Sequence, residues 1–205
     1  MAVSHPPGDI APREFFEEWL PKTYAAHVGA RGPAGGPIEV RVRLEGEGGG
    51  DWDLRVDEKG LAVRPSSPGD ELPITIRQSV EDWREVLEAA RRGGGAGATG
   101  PGGSALDLLT IDPAMRQMLA AIKATVRFEI TGVRGRTWAL SLKLGPQPMA
   151  PQPNATITVD AETYAALAAR KLAPAEAWFN GRIKIAGDAA LAMQVAMALM
   201  PKFSR

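Results

Sequence analysis

The 205-residue chain contains no cysteine, which excludes disulfides, thiolate nucleophiles and cysteine-ligated metals. Histidine is nearly absent too. His5 sits in a polar N-terminal tail and His27 near the end of an opening helical pattern, where an imidazole suits the helix dipole. Two histidines so far apart, with no carboxylate cluster beside them, do not make a metal site. Charge of either sign is not in excess: 24 Lys and Arg balance 24 Asp and Glu, so no global field favours nucleic acid or an anionic membrane. No apolar run approaches the roughly 18–20 residues needed to span a bilayer. Met1 to Pro12 lacks the apolar core of a signal peptide, and a cytoplasmic location is expected. The Asn154-Ala155-Thr156 sequon thus has no secretory route to a glycan. No nucleophile, base and orienting group can be named together, so no enzyme activity and no cofactor are expected.

What the chain does have is a repeat. Val40-Arg41-Val42-Arg43-Leu44-Glu45-Gly46 precedes Trp52-Asp53-Leu54-Arg55-Val56, and Val126-Arg127-Phe128-Glu129-Ile130-Thr131-Gly132 precedes Trp138-Ala139-Leu140-Ser141-Leu142. Each pair alternates apolar and polar residues around a Gly-containing turn, the pattern of a half-buried β-hairpin. The apolar members, from Val40 to Val56 and from Val126 to Leu142, should therefore face a core. Each hairpin is followed by a short strand, Ile74-Thr75-Ile76 or Ile157-Thr158-Val159. An amphipathic helix comes next, carrying Trp83, Val86 and Leu87 or Tyr164, Leu167 and Ala168. A further strand is expected at Leu106–Ile111 and at Arg182–Ile185, then helices over Ala114–Lys123 and from Ala189 to about Met200. A period near 86 residues is too long for a solenoid and implies a duplicated half-domain. The expected units are residues 12–111 and 112–203, with helix 112–123 able to serve either.

Two stretches read as loops. One is Gly29 to Pro37. The other is Arg91 to Gly103, whose Gly-rich part, 93–103, includes Gly95-Ala96-Gly97-Ala98-Thr99-Gly100. That string fits the dinucleotide fingerprint, but it follows a helix and runs into Pro101, so it lacks the strand and helix that would aim amides at phosphate. A flexible loop binding no nucleotide is expected. Arg134-Gly135-Arg136, at the tip of the second hairpin, reads as a solvated turn.

The segment Ala177-Trp178-Phe179-Asn180-Gly181-Arg182-Ile183-Lys184-Ile185-Ala186-Gly187-Asp188-Ala189-Ala190-Leu191-Ala192-Met193 resembles the signature of the sterol carrier protein type-2 family. Two aromatics, a short polar residue and Gly lead into a strand of alternating basic and apolar residues. Ala-Gly-Asp then leads to a helix with Leu-Ala-Met. Residues 113–200 follow the family's order well; residues 12–92 follow it more weakly, and the first unit lacks a Phe-Asn-Gly entry. Phe15-Phe16-Glu17-Glu18-Trp19-Leu20 is similar to the family's leading helix. The resemblance implies an α+β fold, a curved β-sheet covered by helices on one face, here present as an internal duplication. It also implies an apolar tunnel for a fatty acid, acyl-CoA, sterol-like molecule or phospholipid.

On that reading Phe179 and Met193 lie at positions the family uses near its tunnel, and alternation points Ile183 and Ile185 inward. Met197, Trp178, Leu191, Phe128 and Trp138 complete the expected lipid-binding set. The last helix is apolar nearly all round, so more than one face must be covered. Its methionines can adapt to varied apolar ligands, and its alanines leave volume a ligand could fill. Alternatively, those alanines allow close helix–sheet packing in a dry core. Two functions follow: a non-catalytic lipid carrier, or an interaction module, accessory to an enzyme, whose cavity has filled in. Neither implies nucleic acid as a partner.

Overall fold

The structure, a computed structural model, describes residues 6–28, 36–67, 69–91, 118–119 and 121–199. The expected strand at 106–111, most of the helix over 114–123 and the 92–103 loop lie outside these residues. The opening helical stretch comprises α1 (Pro12–Glu14), a π-helical turn over Phe15–Trp19 and α2 (Leu20–Val28). Then come β1 (Ile38–Glu45), β2 (Gly50–Asp57), β3 (Gly60–Pro65), β4 (Ile74–Ser79) and α3 (Val80–Arg91). The second half runs β5 (Ala124–Val133), β6 (Arg136–Leu144), β7 (Ala155–Asp160), α4 (Ala161–Ala168), α5 (Pro174–Phe179), β8 (Ile183–Gly187) and α6 (Ala189–Leu199).

All eight strands form one sheet in the order β3-β2-β1-β4-β6-β5-β7-β8. Residues directly opposite one another on paired strands share a face. One such row crosses the whole sheet: Pro65, Trp52, Val42, Ile76, Leu142, Val126, Ala155 and Gly187. The alternation in the sequence thus becomes one continuous apolar face. Every inward position expected in the two hairpins is buried there. Phe16 stacks on Trp52 and Trp83, and Phe15 meets Trp19 and Trp83, so the opening helical stretch and α3 close over this face.

The two halves share a connectivity. In each, the hairpin's first strand also pairs in parallel with the strand that follows: β1 with β4, and β5 with β7. Trp52 lies opposite Val42, which lies beside Ile76; Trp138 lies opposite Ile130, which lies beside Val159. The two tryptophans are 86 residues apart (138 − 52), whereas Val42 and Ile130 are 88 apart (130 − 42). The first strand is therefore slid by two residues relative to the sequence repeat, a shift that preserves which side chains face the core.

Three features depart from the sequence expectation. Residues 60–65 form a third strand, entered by a turn in which Asp57 Oδ1 accepts from the Lys59 amide and Gly60 takes a φ of 110°. Next, Arg41 is buried although it lies on the face opposite the core. Its register partner Asp53 receives its Nε at 2.7 Å and its Nη2 at 3.2 Å, and Arg41 Nη1 donates to the Asp70 carbonyl. The connection from β3 to β4 crosses this polar face, and Lys143, with 0% exposure, donates to Glu71 and to the Leu72 carbonyl within it.

The hairpin tip 134–136 provides the third departure. Arg134 and Gly135 have φ of 51° and 81°, as a two-residue type I′ turn requires. The tip is not simply solvated: Arg134 pairs with Glu85 and Glu88 of α3, and Arg136 with Glu81 and Asp82.

Candidate functional site

The candidate site lies at the β8 edge of the sheet, where α4, α5 and α6 gather around strands β5, β7 and β8. Chain geometry there follows from caps. Asp160 ends β7 and caps α4, its carboxylate accepting from the Thr163 amide and hydroxyl, both at 2.7 Å. Those two bonds, the amide first, hold its carboxyl below the usual value. After α5, Gly181 takes a φ of 67°, Arg182 N donates to Ala177 O and Gly181 N to Trp178 O. This is the Schellman arrangement, and it explains why Gly follows Phe179-Asn180: an αL residue is needed to turn the chain from α5 into β8.

The Ala186-Gly187-Asp188 step has an equally local cause. Gly187 has a φ of 82°, and a Cβ there would run into the Asn154 carbonyl. That carbonyl accepts from Asp188 N, while Asp188 Oδ1 caps α6 at Leu191 N. Asn154 also receives Thr125 N on its side-chain oxygen and donates its own amide to Thr125 O, so the sequon asparagine ties β5, β7 and β8 together. Gly187→Val should therefore combine αL strain with a backbone clash and cost about 2 kcal/mol or more. Chemical denaturation checks this, and hydrogen exchange should show the lost protection concentrated in β8 and α6.

Two rows of side chains run into this site across the sheet. One is Leu140, Phe128, Ile157 and Ile185; the other is Trp138, Ile130, Val159 and Ile183. Ala192 and Val195 of α6 are buried in the same core, with Leu191, Ile183, Ile185 and Tyr164 half-buried against it.

The residues expected to bind lipid are thus divided. Ile183, Ile185 and Leu191 come together, with Trp178 half-buried on neighbouring α5. Phe128 is buried two strands in from Ile185, roughly 10 Å at the usual strand spacing. Trp138 is buried three strands from Ile183 and donates its Nε1 to the Asp82 carbonyl beneath α3, so its position is that of a seam residue. Phe179 and Met193 are 85% and 42% exposed, so neither is enclosed. The reason for Phe179 is the short α5: Ala177 takes its buried position, leaving Phe179 outward at the C-terminal end. Met197 falls on α6, but its side chain lies outside the described residues.

Sequence reasoning missed Asn154 as a structural clasp and Asp82 as the partner of Arg136. Ser79-Val80-Glu81-Asp82 signals only the start of α3, where Ser79 Oγ accepts from Asp82 N, and does not point to Arg136. Among the described residues, no group of three or more His, Asp or Glu could hold a metal ion. No described helix is long and apolar enough to cross a membrane.

Comparison with known proteins places these features. Hydroxysteroid dehydrogenase-like protein 2 of Bos taurus is 24% identical over 159 residues, 74% of this chain and 38% of that protein. The Homo sapiens protein of the same name is 25% identical over the same shares. This chain thus spans well under half the length of these relatives. Among solved structures, apo sterol carrier protein 2 from Yarrowia lipolytica is similar at 15% identity over 46% of this chain and 83% of its own, with a TM-score of 0.34. The sterol carrier protein domain 2 of Helicoverpa armigera is similar at 21% identity over 44% and 75%, with a TM-score of 0.33. The resemblance drawn from the Ala177–Met193 signature is borne out by the family comparison: residues 105–200 match the SCP-2 sterol transfer family.

Proposed function

We propose that this chain is a non-catalytic binder and carrier of a hydrophobic molecule, a fatty acyl, sterol-like or phospholipid ligand. On this reading the ligand lies between the β5–β8 part of the apolar face and helices α4 to α6. The observation that carries it is the set of half-buried apolar residues Ile183, Ile185 and Leu191 packed against the core inside the stretch that matches the family, with Met193 exposed on the same helix as Leu191. Apolar side chains are part-covered at both edges of this face, Leu61 and Val63 on β3 and Ile183 and Ile185 on β8, and the β8 edge, which falls within the matched stretch, suits a place where a ligand completes the core. Residues 12–111 are read as a divergent copy of residues 112–203 that supports it through the shared sheet.

Binding of a fluorescent fatty-acyl probe to the purified protein tests the carrier reading. Met193→Asp should weaken the probe by about tenfold, a loss of about 1.4 kcal/mol, while the melting temperature stays within a few degrees because the position is exposed. Absence of probe binding, together with a native mass free of co-purified lipid, would overturn it. That outcome would favour the second reading, an interaction module accessory to an enzyme. What supports the second reading is that the curated relatives are longer proteins named as dehydrogenase-like.

A further inference from the structure

Phe179 stands apart from every other large apolar side chain described: at 85% exposure it is nearly twice as open as Met118 or Met193. It is held there by backbone geometry, at the last position of α5 before the Schellman turn, and not by a side-chain partner. The charges around it are also unusual. Elsewhere the basic side chains of the sheet are neutralised, as in Arg41–Asp53, Arg43–Asp51, Arg55–Glu39 and Lys143–Glu71. Around α5 they are not. Arg170 and Lys171 precede it, Arg182 and Lys184 follow it, all four are exposed, and none makes an ion pair among the described residues. Glu176 is the one acid between residues 169 and 187, so a chain with no net charge carries a local excess of three positive charges here (4 − 1). The α5 helix is only about 9 Å long at 1.5 Å per residue, with Arg170 and Lys171 just before its start and Arg182 and Lys184 just after the aromatic tip at its end.

We propose that the α5 tip is a membrane-docking element: Phe179 enters the interface of an anionic lipid surface while Arg170, Lys171, Arg182 and Lys184 contact its headgroups. An aromatic flanked by cations suits the headgroup boundary, where rings partition and basic residues gain from the negative surface potential. A second copy of the chain or a protein partner fits less well. A phenylalanine contributes at most about 250 Å² of burial, against the roughly 1,200 Å² that a stable interface needs, and like charges would face each other in a symmetric pair. The surface adjoins the site proposed for the cargo, since α5 and β8 belong to both, and a carrier that docks beside its ligand could exchange it with the bilayer.

Sedimentation with vesicles tests the proposal, using phosphatidylcholine alone and phosphatidylcholine with 30 mol% phosphatidylserine, at low and high salt. Wild type should bind the anionic vesicles and be released by high salt, since exposed charges are screened over about a Debye length. Phe179→Ser should weaken binding by about tenfold. Lys171→Glu with Arg182→Glu should weaken it further, at roughly fivefold or more per residue. Both positions are exposed, and an unchanged circular dichroism spectrum and melting temperature establish that the variants fold. Equal binding to neutral and anionic vesicles, no binding to either, or binding indifferent to both variants would overturn the proposal. So would concentration-dependent dimerisation, without vesicles, that Phe179→Ser abolishes. Fatty-acyl probe binding measured without vesicles should be unaffected by Lys171→Glu with Arg182→Glu, so failure of the carrier reading and failure of this one are distinguishable.

Discussion

Asp53→Ala should destabilise the protein by about 3–5 kcal/mol, the largest expected effect of any single charge removal. The carboxylate is buried on the polar face and receives Arg41 through two nitrogens and Ser66 Oγ at 2.6 Å, with Arg64 nearby at 3.6 Å. Removing it leaves the buried Arg41 guanidinium with only the Asp70 carbonyl, and an uncompensated buried charge costs far more than the intact pair contributes. Urea unfolding of the variant is the measurement, and a change within 1 kcal/mol would refute the assignment. The same residue sets a pH dependence. Burial opposes ionisation of Asp53, but hydrogen bonds from Arg41 and Ser66 and attraction to Arg41 and Arg64 outweigh it, so its carboxyl is held below the usual value. A depressed folded-state pKa contributes stability that is complete above the unfolded value, about 3.9. That stability is lost as pH falls through the lower folded value. Wild-type stability should therefore fall as pH drops below about 4, with Asp160 adding to the trend, and Asp53→Asn should flatten part of that fall.

Asp82→Ala should cost about 2–4 kcal/mol and act on the seam between the halves. Asp82 is buried at the start of α3, where its carboxylate accepts from Arg136 Nη1 at 2.6 Å and lies 3.3 Å from Ala139 N, while its carbonyl accepts from Trp138 Nε1. Arg136 is 28% exposed and can recover some hydration, so the cost sits below that of a fully buried pair. The seam itself is the antiparallel pairing of β4 with β6, from Ile74–Leu144 to Arg77–Ser141. Hydrogen exchange should show faster opening of β6 and α3 in the variant, with the β1–β2 hairpin less affected. Uniform loss across the sheet would mean that the two halves open only together.

The two charged sites differ in how visible they are in the sequence. Arg41 and Arg43 oppose Asp53 and Asp51 across a hairpin, so alternating charge on adjacent strands already encodes Arg41–Asp53 and Arg43–Asp51 once the register is set. The Asp82–Arg136 contact spans 54 residues and two separate elements, and nothing in the local pattern of either announces it. The candidate site behaves likewise. Gly181, Gly187 and Asp188 are legible because αL turns and helix caps are local demands on residue type. The exposure of Phe179 is not legible, because an apolar residue is only statistically buried and its fate depends on what else fills the core.

By itself the sequence determined which side of each hairpin faces the core, because a period of two admits only two registers of burial, and one of them buries alternating charges. It determined the strand–cap–helix steps at Ser79, Asp160 and Asp188, because a side-chain oxygen at that point satisfies amides no helix can pair internally. Only the tertiary structure decided that the two halves share one eight-stranded sheet, since an exposed strand edge can pair with many partners and side-chain alternation does not choose among them. It decided that the β3–β4 connection would bury Arg41 and Lys143, because that depends on where a loop crosses the sheet. And it decided that Trp138 serves the seam while Phe179 meets solvent, because burial of a given aromatic is a property of the neighbours assembled around it.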